Sequence, residues 1–313
     1  MGDEAMRPPA GTFRKLPPAM LKCQPIPMER FDYLAVGVVT HDLLPAGGHT
    51  IGGTVSFSSR TAVALGCRTA VVTTAGPDCD LAAALPGIPA HCVPAGHTTT
   101  FQNIYTPQGR QQYLHATAGQ ITAAHIPAGW DRTPIVHLAP LANDVHPAII
   151  NLFSNSMVGI TPQGWMRAWD DTGRVFPCDF ALAAATFPLA AAVIISEADL
   201  PDAATLQHFR QAARLLVMTQ GPAGCTLFFG DETRHIPAPA TTEVESTGAG
   251  DIFATGFLIR LHQTGGNPWD AARFANEIAA QSVTQASLAG KIQCLAAYHQ
   301  SISPHPATQA NPV

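Results

Sequence analysis

Short apolar runs alternate with helix-length stretches along most of this chain. YLAVGVV (Tyr33–Val39) is apolar throughout and stops at Thr40-His41-Asp42, the pattern of a strand buried on both faces with a loop behind it. GGTVSFSSRTAVALG follows as a glycine pair and a helix-length stretch ending at Gly66, and CRTAVVTTAG predicts the next strand. PIVHLA, MVGIT, AAVIIS and RLLVMTQG repeat the strand signal. Asp199–Ala213 predicts a helix with an acid at its start, and CTLFFGDETRHIPAP two short strands around Gly230-Asp231. A long apolar helix is expected after Gly248, and an amphipathic one after Asn267, which suits an N-cap. The rhythm predicts an α/β fold: a doubly wound, mostly parallel sheet flanked by helices, with its ligand site at the strand carboxyl ends.

One stretch breaks the rhythm. HTTTFQNIYTPQGRQQYLHATAG alternates on either side of Pro107-Gln108-Gly109 and predicts an antiparallel hairpin. Segments 40–52 and 97–118 are therefore expected to form a small β lid over the site. The lid is also the expected contact if the chain is a homodimer rather than a monomer, because an exposed strand edge needs covering. Residues 1–30 are proline-rich, with prolines at 8, 9, 17, 18, 25 and 27, and read as an extension without the apolar core of a signal peptide. Residues 31–303 read as a single domain without internal repeats, and 304–313 as a tail.

Composition narrows the function. Of 313 residues, 46% are hydrophobic and only 12% charged, with a net charge of −5 and no cluster of basic residues. That argues against a nucleic-acid partner. No run approaches the length of a membrane span, so a cytoplasmic protein without a membrane partner is expected. The seven cysteines are scattered, odd in number and without a C-x-x-C pair, which predicts free thiols in a reducing compartment.

Candidate chemistry concentrates in STGAGDIFATGF. Glycines disfavour a helix, so Gly248-Ala249-Gly250 at a helix start serves the backbone. The unpaired N–H groups of a first helical turn form an anion cradle, and Asp251 stands beside it. Familiar phosphate motifs are missing. The one Gly-Lys pair, Gly290-Lys291, is followed by isoleucine and lacks the upstream glycine of a P-loop. Neither a dinucleotide-binding G-x-G-x-x-G after the first strand nor a G-x-S-x-G elbow is present.

STGAGDIFATGF closely resembles the carboxy-terminal motif of the ribokinase-like (PfkB) carbohydrate kinase family. GGTVSFSSRTAVALG, VTTAGPD, VMTQGPAGCTLF and ARFANEIAAQSVTQ are similar to further family segments in the same order, so the resemblance spans about residues 31 to 300. It implies an ATP-dependent kinase of a small sugar or polyol, working with Mg2+. Asp251 then matches the base that takes the acceptor proton, with the backbone of Gly248, Ala249 and Gly250 holding charge on the transferred phosphoryl group. Asp42, Gly52 and Gly53 match the substrate side. Thr219, Gly221, Gly224 and Asn276 match the nucleotide side. Glu245 and Thr247 match positions whose oxygens bind a monovalent cation such as K+ in some relatives.

Two departures stand out. Where many members carry N-x-x-E, this chain has Ser196-x-x-Asp199, a shorter pair through which Asp199 would still reach a hydrated Mg2+. Phe57 replaces an asparagine that contacts sugar in ribokinases, which argues against ribose as acceptor. His41-Asp42, GGTVSF and VTTAGPD resemble the myo-inositol kinase branch, and GITPQGWMR a Q-G-x-x-R element of its bacterial relatives, which leaves Arg167 either a contact to a substrate or phosphate oxygen or a surface residue capping a strand end. Ribokinase, fructokinase and nucleoside kinase are the alternatives. A binding protein for polyol or nucleotide that has lost turnover is the alternative of another class.

Overall fold

The computed structural model describes residues 30–106 and 109–302. The extension up to residue 29, the Pro107-Gln108 turn and the 304–313 tail lie outside them. In chain order come β1 (Tyr33–Gly37), β2 (Thr40–Leu43), β3 (His49–Gly52), α1 (Thr54–Ala64), β4 (Thr69–Ala75), α2 (Leu81–Ala84) and β5 (Ala90–Pro94). They are followed by β6 (Thr99–Thr106), β7 (Gly109–Ala116), β8 (Ile135–Ala139), β9 (Met157–Ile160), β10 (Arg167–Trp169), β11 (Val175–Pro177), α3 (Ala183–Thr186) and β12 (Ala192–Ser196). The last part holds α4 (Ala203–Ala212), β13 (Leu215–Thr219), β14 (Cys225–Phe229), β15 (Glu232–Ile236), α5 (Ala249–Gln263), α6 (Pro268–Ser282) and α7 (Leu288–Ile302).

A nine-stranded sheet runs in the order β15-β14-β13-β12-β9-β8-β1-β4-β5. Strands β5 through β13 pair in parallel, and β14 and β15 extend that edge as an antiparallel pair. Helices cover both faces, as the two-sided burial of β1 and β8 demands. One apolar cluster joins α1, α5 and α6 to one face; another joins Phe153, Phe187 and Phe209 to the other. The order reverses at β1: the chain first builds outward to β4 and β5, then returns to β8. Loops therefore part at the carboxyl ends of β1 and β8, where open α/β sheets bind ligands.

Segments 40–52 and 99–116 form a second, four-stranded sheet in the order β3-β2-β6-β7. Its own small cluster, Val38, Phe101, Leu114, Leu141 and Ala142, seats it on the loop after β8. The helix expected over Asp199–Ala213 starts later. Pro201 keeps Leu200 extended, Glu197–Asp199 make one tight turn, and Asp202 caps α4 by accepting from Thr205 N at 2.8 Å. Asn267 caps α6, accepting from Trp269 N and Asp270 N. The six described cysteines are free, and no helix among the described residues is long and apolar enough to cross a membrane.

Candidate active site

A cleft of about 470 Å³, open to solvent, lies at the carboxyl ends of β9, β12 and β13 and at the start of α5. Its lining includes Thr54, Gln163, Asp199, Thr219, Gly250 and Asp251. Residues nearly 200 positions apart meet here because each ends a strand or opens a helix at the same sheet edge.

The turn into α5 is built for close approach. Gly248 has φ 78°, and a Cβ on it would run into the ring of Phe57 from α1. Only glycine takes that backbone and leaves the ring room. Phe57 is accordingly buried beneath the turn, so it fixes how near α1 and α5 come, and its value as a sign of acceptor type falls away. The N–H groups of Gly248 and Gly250 have no partner among the described residues, and the space around Gly250 is open. Ala249 departs from expectation: its N–H donates to Ser246 O at 3.0 Å, so its amide holds the turn.

Asp251 sits half-buried in the cleft. Burial is the main cause pushing its carboxyl up to about 6; a Thr54 hydrogen bond and the Arg167 charge act downward, and Asp199 and Asp42 upward. Arg167, Asp199 and Asp42 are thus the charges that act on Asp251. Beneath it runs a polar chain through the core: the Asp251 carbonyl accepts from Thr255 Oγ1 at 2.8 Å, and Tyr33 Oη meets Thr255 Oγ1 at 3.4 Å. Tyr33 Oη also meets His137 Nδ1 at 2.7 Å, while His137 Nε2 meets Thr161 Oγ1 at 2.9 Å. Burial drives His137 down to about 3, so it is neutral at ordinary pH.

Asp42 lies on β2 and accepts from Thr40 Oγ1 at 3.2 Å. Gly52 lies opposite Thr40 across the β2–β3 pair, and any Cβ on it would strike the Asp42 carboxylate. Gly53 caps α1. Arg167, at the start of β10, ties the two sheets: its guanidinium donates to Leu141 O at 3.1 Å and lies 5.6 Å from the Phe101 ring centre. Gln163 donates to both Asp199 oxygens, at 3.1 and 2.8 Å.

The nucleotide-side residues divide. Thr219 lines the cleft and donates to Ile195 O at 3.2 Å. Gly221 is exposed in the turn after β13, and Gly224 opens β14 with φ 102°. Asn276 is 4% exposed, and its amide donates to Ile236 O at 2.9 Å, tying α6 to the end of β15. Glu245 and Thr247 are also engaged within the protein. Their carbonyls accept from Lys291 Nζ at 2.5 and 2.9 Å, and the Glu245 carboxylate pairs with the same nitrogen at 3.0 Å. The oxygens expected to hold a monovalent cation thus do not fit one. For Mg2+ the donor set does fit: Asp199 brings one carboxylate into the cleft, and Mg2+ takes few protein ligands, completing its shell with phosphate oxygens and water.

Thr54, Thr161 and Gln163 were not among the sequence-derived site residues. Thr54 directly follows the Gly52-Gly53 pair, and Gln163 belongs to the Q-G-x-x-R stretch, so a signal existed for both. Thr161, at the end of an apolar strand, offered none.

Residues 189–293 match the pfkB family carbohydrate kinases. Inositol 3-kinase of Oryza sativa subsp. japonica is 29% identical over 286 residues, covering 82% of this chain and 70% of its own. A pyrophosphate-dependent kinase in the ribokinase family, solved with a pyrophosphate analogue and myo-inositol, superposes with a TM-score of 0.72 at 17% identity, covering 85% of this chain and 99% of its own. Ribokinase from Thermotoga maritima superposes with a TM-score of 0.64 at 18% identity, covering 86% and 99%. The fold, the matched segment and the long relative agree: this chain has the ribokinase-like fold, and its residues 189–293 carry the match to the pfkB family carbohydrate kinases.

Proposed function

We propose that this chain phosphorylates a hydroxyl of a cyclitol, with myo-inositol as the favoured acceptor, ATP as donor and Asp251 as the general base. The observation that carries the reading is the carboxyl of Asp251 raised to about 6 beside the unpaired N–H groups of Gly248 and Gly250. A base of that strength is mostly ionised at neutral pH yet holds a proton well enough to take one from an alcohol during transfer. The two N–H groups accept the charge of the transferred phosphoryl group. Asp42 accepts from acceptor hydroxyls, and its charge together with that of Asp199 strengthens the hold of Asp251 on a proton. Arg167 offsets that field. Mg2+, held on the Asp199 side, would neutralise donor phosphate charge.

The cyclitol preference draws on the likeness to the rice enzyme and on the myo-inositol in the structural neighbour's complex. One observation favours a second reading of the donor. Asn276, which the resemblance puts on the nucleotide side, is buried and gives its amide N–H to Ile236 O and Pro237 O, so that N–H is not offered to a nucleotide base. A donor without a base, such as pyrophosphate, would not need that contact.

The test is phosphoryl transfer measured with ATP and with pyrophosphate across myo-inositol, ribose, fructose and nucleosides, with Asp251→Asn in parallel. Selective transfer to myo-inositol, reduced about 10²- to 10⁴-fold in the variant, is the expected result. Transfer to another acceptor would replace the substrate, and an active Asp251→Asn enzyme would remove the base.

A further inference from the structure

Between residues 30 and 302 the chain has a single lysine, and that lysine is fully buried. Lys291 rises from α7, and its Nζ reaches three oxygens: Glu245 O, Thr247 O and the Glu245 carboxylate. Those three partners use all three N–H bonds of an ammonium group. A buried lysine is costly unless paired, and this one is paired in full. Burial acts to raise the Glu245 carboxyl, but hydrogen bonds from Thr247 and Lys291 outweigh it and hold it below its ordinary value. All three oxygens belong to the Glu245–Thr247 segment, directly before Gly248. The Glu245 carboxylate also accepts from Thr247 N at 2.7 Å, closing the segment into a compact turn around the ammonium group.

We propose that Lys291 is a built-in monovalent cation: its ammonium group gathers the Glu245 and Thr247 oxygens and thereby sets the N–H groups of Gly248 and Gly250 for anion binding, without a dissolved ion. It is a positioning residue, one step from the reacting atoms. A carbonyl pair with an adjacent carboxylate suits any small cation, and here the chain supplies its own at fixed distance. The ordering cost of capturing an ion is absent, and so is dependence on which alkali ion the solution contains.

The inference rests on the Gly248–Gly250 cradle of the proposed kinase reading, so the test uses signals that need no acceptor. Wild type, Lys291→Ala and Lys291→Met would be melted, and titrated with pyrophosphate by calorimetry. Each would be measured in potassium, ammonium, sodium and choline chloride at equal ionic strength. The wild type is expected to show the same melting point and anion affinity in all four salts. Lys291→Ala is expected to bind pyrophosphate about tenfold more weakly in choline, the loss of a charged hydrogen-bond network, and to recover in potassium or ammonium. Lys291→Met, which fills the space with an apolar chain, should weaken and not recover.

A wild type that gains stability or affinity specifically in potassium would overturn the proposal. So would a Lys291→Ala protein that keeps its affinity in choline, or one that loses it without recovery in any salt, since that is a purely structural role. If Lys291→Ala does not fold, the wild-type salt series still decides. If pyrophosphate binds no form of the protein, the cradle reading fails, while melting in the four salts still tests the cation role.

Discussion

At the scale of single residues, Asp251 and His137 pull stability in opposite directions as pH changes. Asp251 rises from 3.8 to about 6 on folding, so the protonated form is the one the fold favours. Its contribution is present below pH 3.8 and is lost as pH rises through 6, about 3 kcal/mol at roughly 1.4 kcal/mol per unit. His137 falls from 6.5 to about 3, so the fold favours its neutral form. Its contribution is present above pH 6.5 and is lost as pH falls towards 3, at about 1.4 kcal/mol per unit. Between pH 6 and 4 the two slopes oppose. Chemical denaturation across that window should show Asp251→Asn more stable than wild type by up to about 3 kcal/mol at pH 8, with the advantage fading near pH 4. His137→Gln should narrow its deficit relative to wild type as the solution is acidified. A variant whose pH profile runs parallel to that of wild type would exclude the shift at that residue. The same Asp251 value predicts that kcat/KM falls tenfold per pH unit below about 6. A rate flat to pH 5 would exclude this carboxyl as the base.

At the scale of elements, the junction of α1 and α5 sets the cradle. Gly248→Ala places a Cβ against Phe57 and forces a left-handed backbone on alanine, which alone costs about 1–2 kcal/mol. The variant should be less stable by more than that, and adding Phe57→Ala should relieve the steric part while leaving the backbone part. A double-mutant cycle is expected to return a coupling of about 1–3 kcal/mol. Strict additivity would show that the ring does not support the turn. Much of this level was legible beforehand. Strand runs, the 99–116 pairing, the α6 cap and the GAGD turn all follow from local pattern. The start of α4 did not, because Pro201 overrides the acid at Asp199, and the direction of Phe57 did not, because a helix hides which neighbour each side meets.

At the scale of the whole molecule, the second sheet stands on a core of its own, Val38, Phe101, Leu114, Leu141 and Ala142, much smaller than the clusters on the large sheet. Arg167 and Asp42 link it to the site. Elements with little buried apolar area open first, so β2, β3, β6 and β7 are expected to exchange amide hydrogens faster than β1 and β8. Donor and acceptor together should slow exchange in this sheet most, because the ligands would bridge it to the cleft. Protection confined to the large sheet would deny it any role as a lid.

The sequence by itself determined the rhythm of strands and helices, the interruption by a β insertion, and a glycine run placing Asp251 at a helix start. These rest on spacing over a few residues, where backbone geometry and burial act locally. Only the tertiary structure decided which distant groups share the cleft, that Ala249 uses its amide within the turn, that Asn276 faces inward, and that Lys291 fills the place expected for an ion. Each depends on the path of chain segments far apart in sequence, since a side chain's partners are set by the packing of elements and not by the letters beside it.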